Sequence, residues 1–336
     1  MDQKYIRRKD EDNIITPYFE DPNVFCDFVN GAVFGGKQVL RPEYLESLPR
    51  ELVMQLPWEA DGRQNHKTLV RDTVKQAYLH TMYVIFICEN QSEIHYGMPV
   101  RMLLYDAVQY ADQLKKKQKE NKKAGNLRTS AEFLSGIPKG EPFMPVVSVV
   151  FYYGDNPWDG PLTMEEMICL PDDAAELKEY LPRYKVHLIE PRNTDPGKFP
   201  GDWRLILETL RCGNHKKDLM QYVKKHEKEL GDLSAKASKA LLTMLGRDIK
   251  LKNDKEEISV CRALEELKEE GNAEGKKEEE VNIIRKMLRK RLTAITICHW
   301  LDVEEEFVKT VAELQDKYPD YSNVQILNAY ESENKH

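Results

Sequence analysis

The run Tyr83–Gln91 (YVIFICENQ) constrains this chain more than any other stretch. Its apolar residues fall on both faces of an extended backbone: Tyr83, Ile85 and Ile87 on one, Val84, Phe86 and Cys88 on the other. Such a strand has to be covered on both sides, which puts it in the middle of a sheet. Yet it ends in Glu89, Asn90 and Gln91, so large polar side chains sit at the exit of a buried strand. Residues i and i+2 share a face, which sets Glu89 and Gln91 together, about 7 Å apart along the strand.

The segment before it fixes what Glu89 meets. With a tight turn at His80-Thr81, Leu79 faces Met82, and counting outward brings Asp72 opposite Glu89. Opposed residues of an antiparallel pair have Cβ atoms roughly 5 Å apart. A slip of one residue would turn Asp72 to the other face, so everything rests on this register. Two carboxylates this close repel, and one takes up a proton unless a cation intervenes. A hard divalent ion resolves the conflict, and Mg²⁺ commonly uses one or two carboxylates while keeping several waters. Mn²⁺ is the expected substitute. The bland alternative is that Glu89 is a solvated strand end and Asp72 salt-bridges to a neighbouring Arg or Lys. Downstream, Arg101, Tyr105 and Gln109 are spaced i, i+4, i+8 and form one polar-tipped helical stripe, with Met102, Leu103 and Val108 left for the core.

Arg71-Asp72, the apolar strand into ENQS (Glu89–Ser92), and then MPVRMLLYDAVQY (Met98–Tyr110) together resemble the recombination-promoting nuclease/putative transposase family, within the PD-(D/E)XK nuclease superfamily. The resemblance extends over most of residues 10–265 and is most specific at ENQS and the helix that follows. It implies a metal-dependent DNA endonuclease with Asp72 and Glu89 as metal ligands and catalytic residues, and double-stranded DNA as partner. Gln91 then takes the place usually held by lysine in the superfamily. A carboxamide can orient water and donate hydrogen bonds but brings no charge. Lys75 faces away from Asp72 by period two, so Arg101 is the better candidate for that charge, and Arg101 with Tyr105 would stabilise or orient the phosphate. The competing reading is a DNA-binding or scaffolding protein on a nuclease fold that has lost turnover; the missing lysine and the acidic net charge of −7 support it.

Around this centre the sequence predicts a packing helix from Asp21-Pro22 to Gly35-Gly36, a first core strand at 52–56, and buried strands at 145–153 and 185–189. A short helix is expected from Asp172-Asp173. The order is α/β: a restriction-endonuclease-like mixed sheet flanked by helices over residues 1–200. A helical extension is expected over 201–275 and a helical tail over 276–336. In that tail Ile283, Ile284, Met287 and Leu288 line a first helix, Ile295, Ile297 and Trp300 a second, and Phe307, Val308 and Val311 a third. Acids at 302 and 304–306 would repel phosphates, so the tail is expected to pack or to form a homo-oligomer rather than read DNA.

Phosphate binding needs local positive charge. Residues 115–128 carry seven basic residues and one acid, and residues 276–291 seven against three acids. Gly125 and Asn126 suggest that the first of these is a mobile loop. The six scattered cysteines form no zinc-ligand spacing and suit reduced thiols. No apolar run reaches the roughly 20 residues that span a bilayer, and the start lacks a signal-peptide core, so a cytoplasmic location off the membrane is expected.

Overall fold

The computed structural model describes residues 13–54, 67–79, 82–213, 216–246 and 260–333. The chain divides into two compact units, residues 1–260 and 261–336.

The first unit is built on a five-stranded sheet in the order β1 (Leu45–Ser47), β4 (Thr73–Leu79), β5 (Met82–Gln91), β6 (Val146–Tyr152) and β7 (His187–Ile189). β1, β4 and β5 run antiparallel, whereas β6 and β7 continue parallel to β5. β5 is therefore the strand where antiparallel pairing gives way to parallel, and its residues 84–89 are all buried. The β4–β5 ladder runs from Leu79↔Met82 to Thr73↔Cys88, the register anticipated above. Its turn at His80-Thr81 lies outside the described residues. β2 (Glu51–Met54) pairs instead with β3 (Lys67–Val70) in a separate two-stranded sheet. Of the strand expected at 52–56, residues 52–54 thus lie outside the core sheet, and 55 and 56 lie outside the described residues. The short β1 takes that edge, a segment whose alternation is too brief to register in the sequence.

Helices close both faces. On one side α1 (13–20), α2 (Pro22–Ala32) and α5 (Trp203–Cys212) bring Phe19, Phe28 and Trp203 against Phe151 of β6, ring centroids 5.4 to 5.9 Å from it. α2 starts as its sequence dictates: an Asp21 carboxylate oxygen accepts from the Asn23 N–H at 3.0 Å, with Pro22 at the first position. Residues 203–244, expected as a helical extension, form α5, α6 (Lys216–Lys225), α7 (Glu227–Gly231) and α8 (Ala235–Met244), and they lie in the same compact unit as the sheet.

On the other side lies α3 (Met98–Ala124), whose Met98, Met102 and Tyr105 pack on Val150 and Val186. This helix corrects the expectation of a mobile loop at 115–128. Lys, Gln and Glu are good helix formers, and the helix runs on to a left-handed Gly125 (φ 66°) before α4 (Ser130–Ser135).

The second unit contains most of α9 (Val260–Arg289), then α10 (Ala294–Leu301), α11 (Glu305–Lys317) and α12 (Asn323–Glu333). Val281, Ile284, Ile297, Val308, Val311, Ile326 and Leu327 form its core. Ile295 and Trp300, expected to line the second helix of the tail, are 70% and 69% exposed.

Candidate active site at the end of the central hairpin

The open end of the β4–β5 hairpin collects polar groups that the rest of the sheet excludes. One step beyond the Thr73↔Cys88 pair, Asp72 and Glu89 stand level. The Asp72 carboxylate accepts the Asn90 backbone N–H at 2.7 Å, which fixes it across the strand junction. Glu89 is fully buried, and its Oε1 accepts from the Arg101 guanidinium. Arg101 Nε in turn donates to the Tyr105 hydroxyl at 3.0 Å. The spacing of Arg101 and Tyr105 on α3 thus converges on the acid of β5, as the helical stripe requires. Lys75 points to the opposite face, as period two demands. Its Nζ donates to Glu20 Oε2, the Glu20 carbonyl and Ser47 Oγ.

Gln109, the third member of the stripe, belongs to a different partner. Arg71, 1% exposed, donates to Gln109 Oε1 at 2.8 Å and to the Pro49 carbonyl at 2.8 Å. Its Nε also reaches the Arg50 carbonyl. The residue beside Asp72 therefore ties the β1–β2 connection to α3, a positioning role that the sequence offers only as the first letter of the RD pair. Gln91 is half-buried, and its carboxamide makes no hydrogen bond among the described residues. Its backbone carbonyl accepts from the Tyr153 N–H at 3.0 Å.

The electrostatics follow from burial. Loss of water pushes the Glu89 carboxyl up to about 8, and the Asp72 charge adds to this, while Arg101 pulls it back. Burial is the strongest single influence on Arg101 and works against its charge, but Glu89, Tyr105 and Asp72 together outweigh it and hold the guanidinium above its ordinary value. Burial lowers Arg71 to about 10. Tyr105 is raised by burial and by Glu89.

Whether this end fits a cation can be asked of its unsatisfied atoms. Native interiors leave few polar groups without a partner. Among the described residues four buried side-chain atoms lack a hydrogen bond, and three of them, Thr73 Oγ1, Glu89 Oε2 and Asn90 Nδ2, lie at this end of the hairpin. Glu89 Oε2 is a buried hard oxygen, and the Asp72 carboxylate is close enough for its charge to act on the same group. No group of three or more His, Cys, Asp or Glu is placed to hold a metal among the described residues. Two carboxylates completed by water and substrate oxygens are the arrangement Mg²⁺ accepts.

A mixed sheet with an antiparallel hairpin, a crossover helix and parallel strands beyond it, covered by helices on both faces, is consistent with the PD-(D/E)XK-like fold. The family model described as Putative transposase, YhgA-like, matches residues 64–241, a span of 178 of the 336 residues, and the chain belongs to that family. The match takes in Asp72, Glu89, Gln91, Arg101 and Tyr105 and continues into α8. No curated protein and no solved structure matches the chain. No helix among the described residues is long and apolar enough to cross a membrane.

Proposed function

We propose that this protein is a Mg²⁺-dependent endonuclease that hydrolyses phosphodiester bonds of double-stranded DNA in transposition or recombination. The observation that carries the reading is the buried Glu89 beside Asp72, with one carboxylate oxygen left without a partner. Asp72 and Glu89 would hold the ion. When bound, it would polarise the phosphate and ease ionisation of the attacking water. Mn²⁺ presents the same oxygen preference and is expected to replace it.

The chain's own residues account for the rest. Gln91 lies on the face of Glu89 with an uncommitted carboxamide, whose carbonyl orients water while its N–H groups donate. Arg101 supplies the positive charge that a superfamily lysine would otherwise bring. It neutralises Glu89 in the resting protein and turns to a phosphate oxygen when the carboxylate is engaged elsewhere. Tyr105 holds the guanidinium in that arc. Positioning and charge are most of what a phosphodiester hydrolase has to provide.

One feature favours the second reading, a DNA-binding scaffold without turnover: Arg101 already satisfies one Glu89 oxygen, as an ion pair that replaced a metal would. Incubating the full chain with supercoiled plasmid and Mg²⁺, Mn²⁺ or EDTA separates the two. Metal-dependent nicking that disappears in Asp72→Ala supports the nuclease; binding without nicking in any metal supports the scaffold.

A further inference from the structure

The far end of α3 carries a surface that the site chemistry does not use. Lys115, Lys116, Lys119, Lys122 and Lys123 are exposed on its last turns, and Arg128 follows. α4 is then tied back onto the helix. Gln118 Nε2 donates to the Ser135 carbonyl at 2.8 Å, and Asn121 Nδ2 and Lys117 Nζ donate to Glu141, each at 2.7 Å. A capping box closes its first turn, with Thr129 Oγ1 accepting from the Glu132 N–H and Glu132 accepting from the Thr129 N–H. Glu132 takes further N–H groups from Arg128 and Lys139, and these hold its carboxyl below the usual range.

This well-tied turn presents two adjacent large apolar side chains to water: Phe133 is 67% exposed and Leu134 91%. An isolated exposed apolar residue needs no explanation. An exposed apolar pair on a turn tied to a helix end rich in exposed lysines has the composition by which proteins insert an apolar wedge between base pairs while gripping the phosphates on either side. At about 1.5 Å of rise per residue, Lys119 to Lys123 lie roughly 27 to 33 Å along α3 from Arg101, close to the ~34 Å of one duplex turn.

We propose that Phe133 and Leu134 form a wedge that opens a base step of duplex DNA held by the lysines of the α3 C-terminus. The inference rests on the DNA reading of the hairpin site and adds to it a second contact, about one duplex turn from the cut.

The test uses the full chain in EDTA with duplexes carrying 2-aminopurine at successive positions. Binding is expected to raise the fluorescence at one step at least twofold. Phe133→Ser with Leu134→Ser should abolish that rise while weakening binding less than tenfold and leaving thermal unfolding unchanged. Replacing Lys119, Lys122 and Lys123 by Gln should weaken binding to every sequence alike and reduce the salt slope by about 3. Binding in EDTA with no rise at any position, from a chain that nicks plasmid once Mg²⁺ is added, or a rise that survives in the double variant, overturns the wedge and leaves the nuclease reading standing. Failure of the wild-type chain to bind duplex at all overturns both. A dimer that the double variant converts to monomer would make the pair a self-association face and overturn the wedge.

Discussion

Two buried charges on one hairpin differ in how completely they are answered. Lys75, on the α1–α2 face, has three acceptors, the Glu20 carboxylate and carbonyl and Ser47 Oγ, and stands 5.6 Å above the Phe25 ring. Glu89, on the α3 face, has the Arg101 guanidinium on one oxygen and nothing on the other. Three donors exhaust an ammonium group, whereas a carboxylate has more lone pairs than Arg101 can fill. The saturated charge is a fastening between strand and helix. The unsaturated one keeps a buried oxygen that no hydrogen bond among the described residues fills. Burial with complete pairing and burial with a remainder thus lie on opposite faces of the same strands, and the proposed chemistry rests on the second.

Four measurements would break or sharpen that contrast. Glu89→Gln should lower metal-dependent nicking at least 100-fold, equal to about 2.7 kcal/mol of transition-state stabilisation. Its thermal unfolding should change little, because burial already holds the carboxyl at about 8 and the carboxamide oxygen can still accept from Arg101; a variant that both cuts and unfolds like an ordinary core mutant would erase the distinction. Lys75→Met should do the reverse: nicking per folded molecule unchanged, stability down by about 2 to 3 kcal/mol in urea titration. That is somewhat less than the loss of a fully buried pair, since the side chain of Glu20 is one-third exposed. Saturating Mg²⁺, at ten times its dissociation constant, should stabilise the wild type by about 1.4 kcal/mol, and EDTA should reverse it. Calorimetry showing the same gain in Glu89→Gln would move the ion elsewhere. Smallest, Gln91→Ala should slow nicking about threefold and Gln91→Lys should restore or exceed the original rate, read from initial rates at fixed Mg²⁺. Equal rates in all three proteins would remove Gln91 from the mechanism.

The hairpin was legible in the sequence because its pattern is redundant. An apolar run on both faces and a polar exit mark the strand, and if the chain turns tightly at His80-Thr81 Asp72 follows from Glu89 by counting; the β4–β5 ladder has that register rather than one slipped by a residue. The cation beside Glu89 was legible too, since i, i+4 spacing puts Arg101 and Tyr105 on one stripe. What escaped has the opposite character. Residues 115–124 are polar all round, so no apolar stripe announces a helix, and only propensity favours it. β1 is three residues long, too short to alternate, and the more apolar 52–56 drew the strand assignment instead. Arg71 reads as an ordinary surface cation until the fold wraps Pro49, Arg50 and Gln109 around it. Trp203 looked like the first residue of an appendage, and only its rings' neighbours Phe19, Phe28 and Phe151 reveal it as a keystone of the far face.

The pairing of β5 with β6 carries a further implication. Asp72, Glu89, Gln91, Arg101 and Tyr105 all come from one continuous stretch of strand, strand and helix, whereas the dryness around Glu89 is imported. Val150, its level neighbour across the parallel ladder, is fully buried beneath α3 and lies some sixty residues further on. Part of the burial that raises the Glu89 carboxyl is therefore supplied by a distant hydrocarbon side chain together with Met98 and Met102 of α3, and a smaller or more polar residue at 150 should bring that carboxyl down without altering any charged group in the molecule.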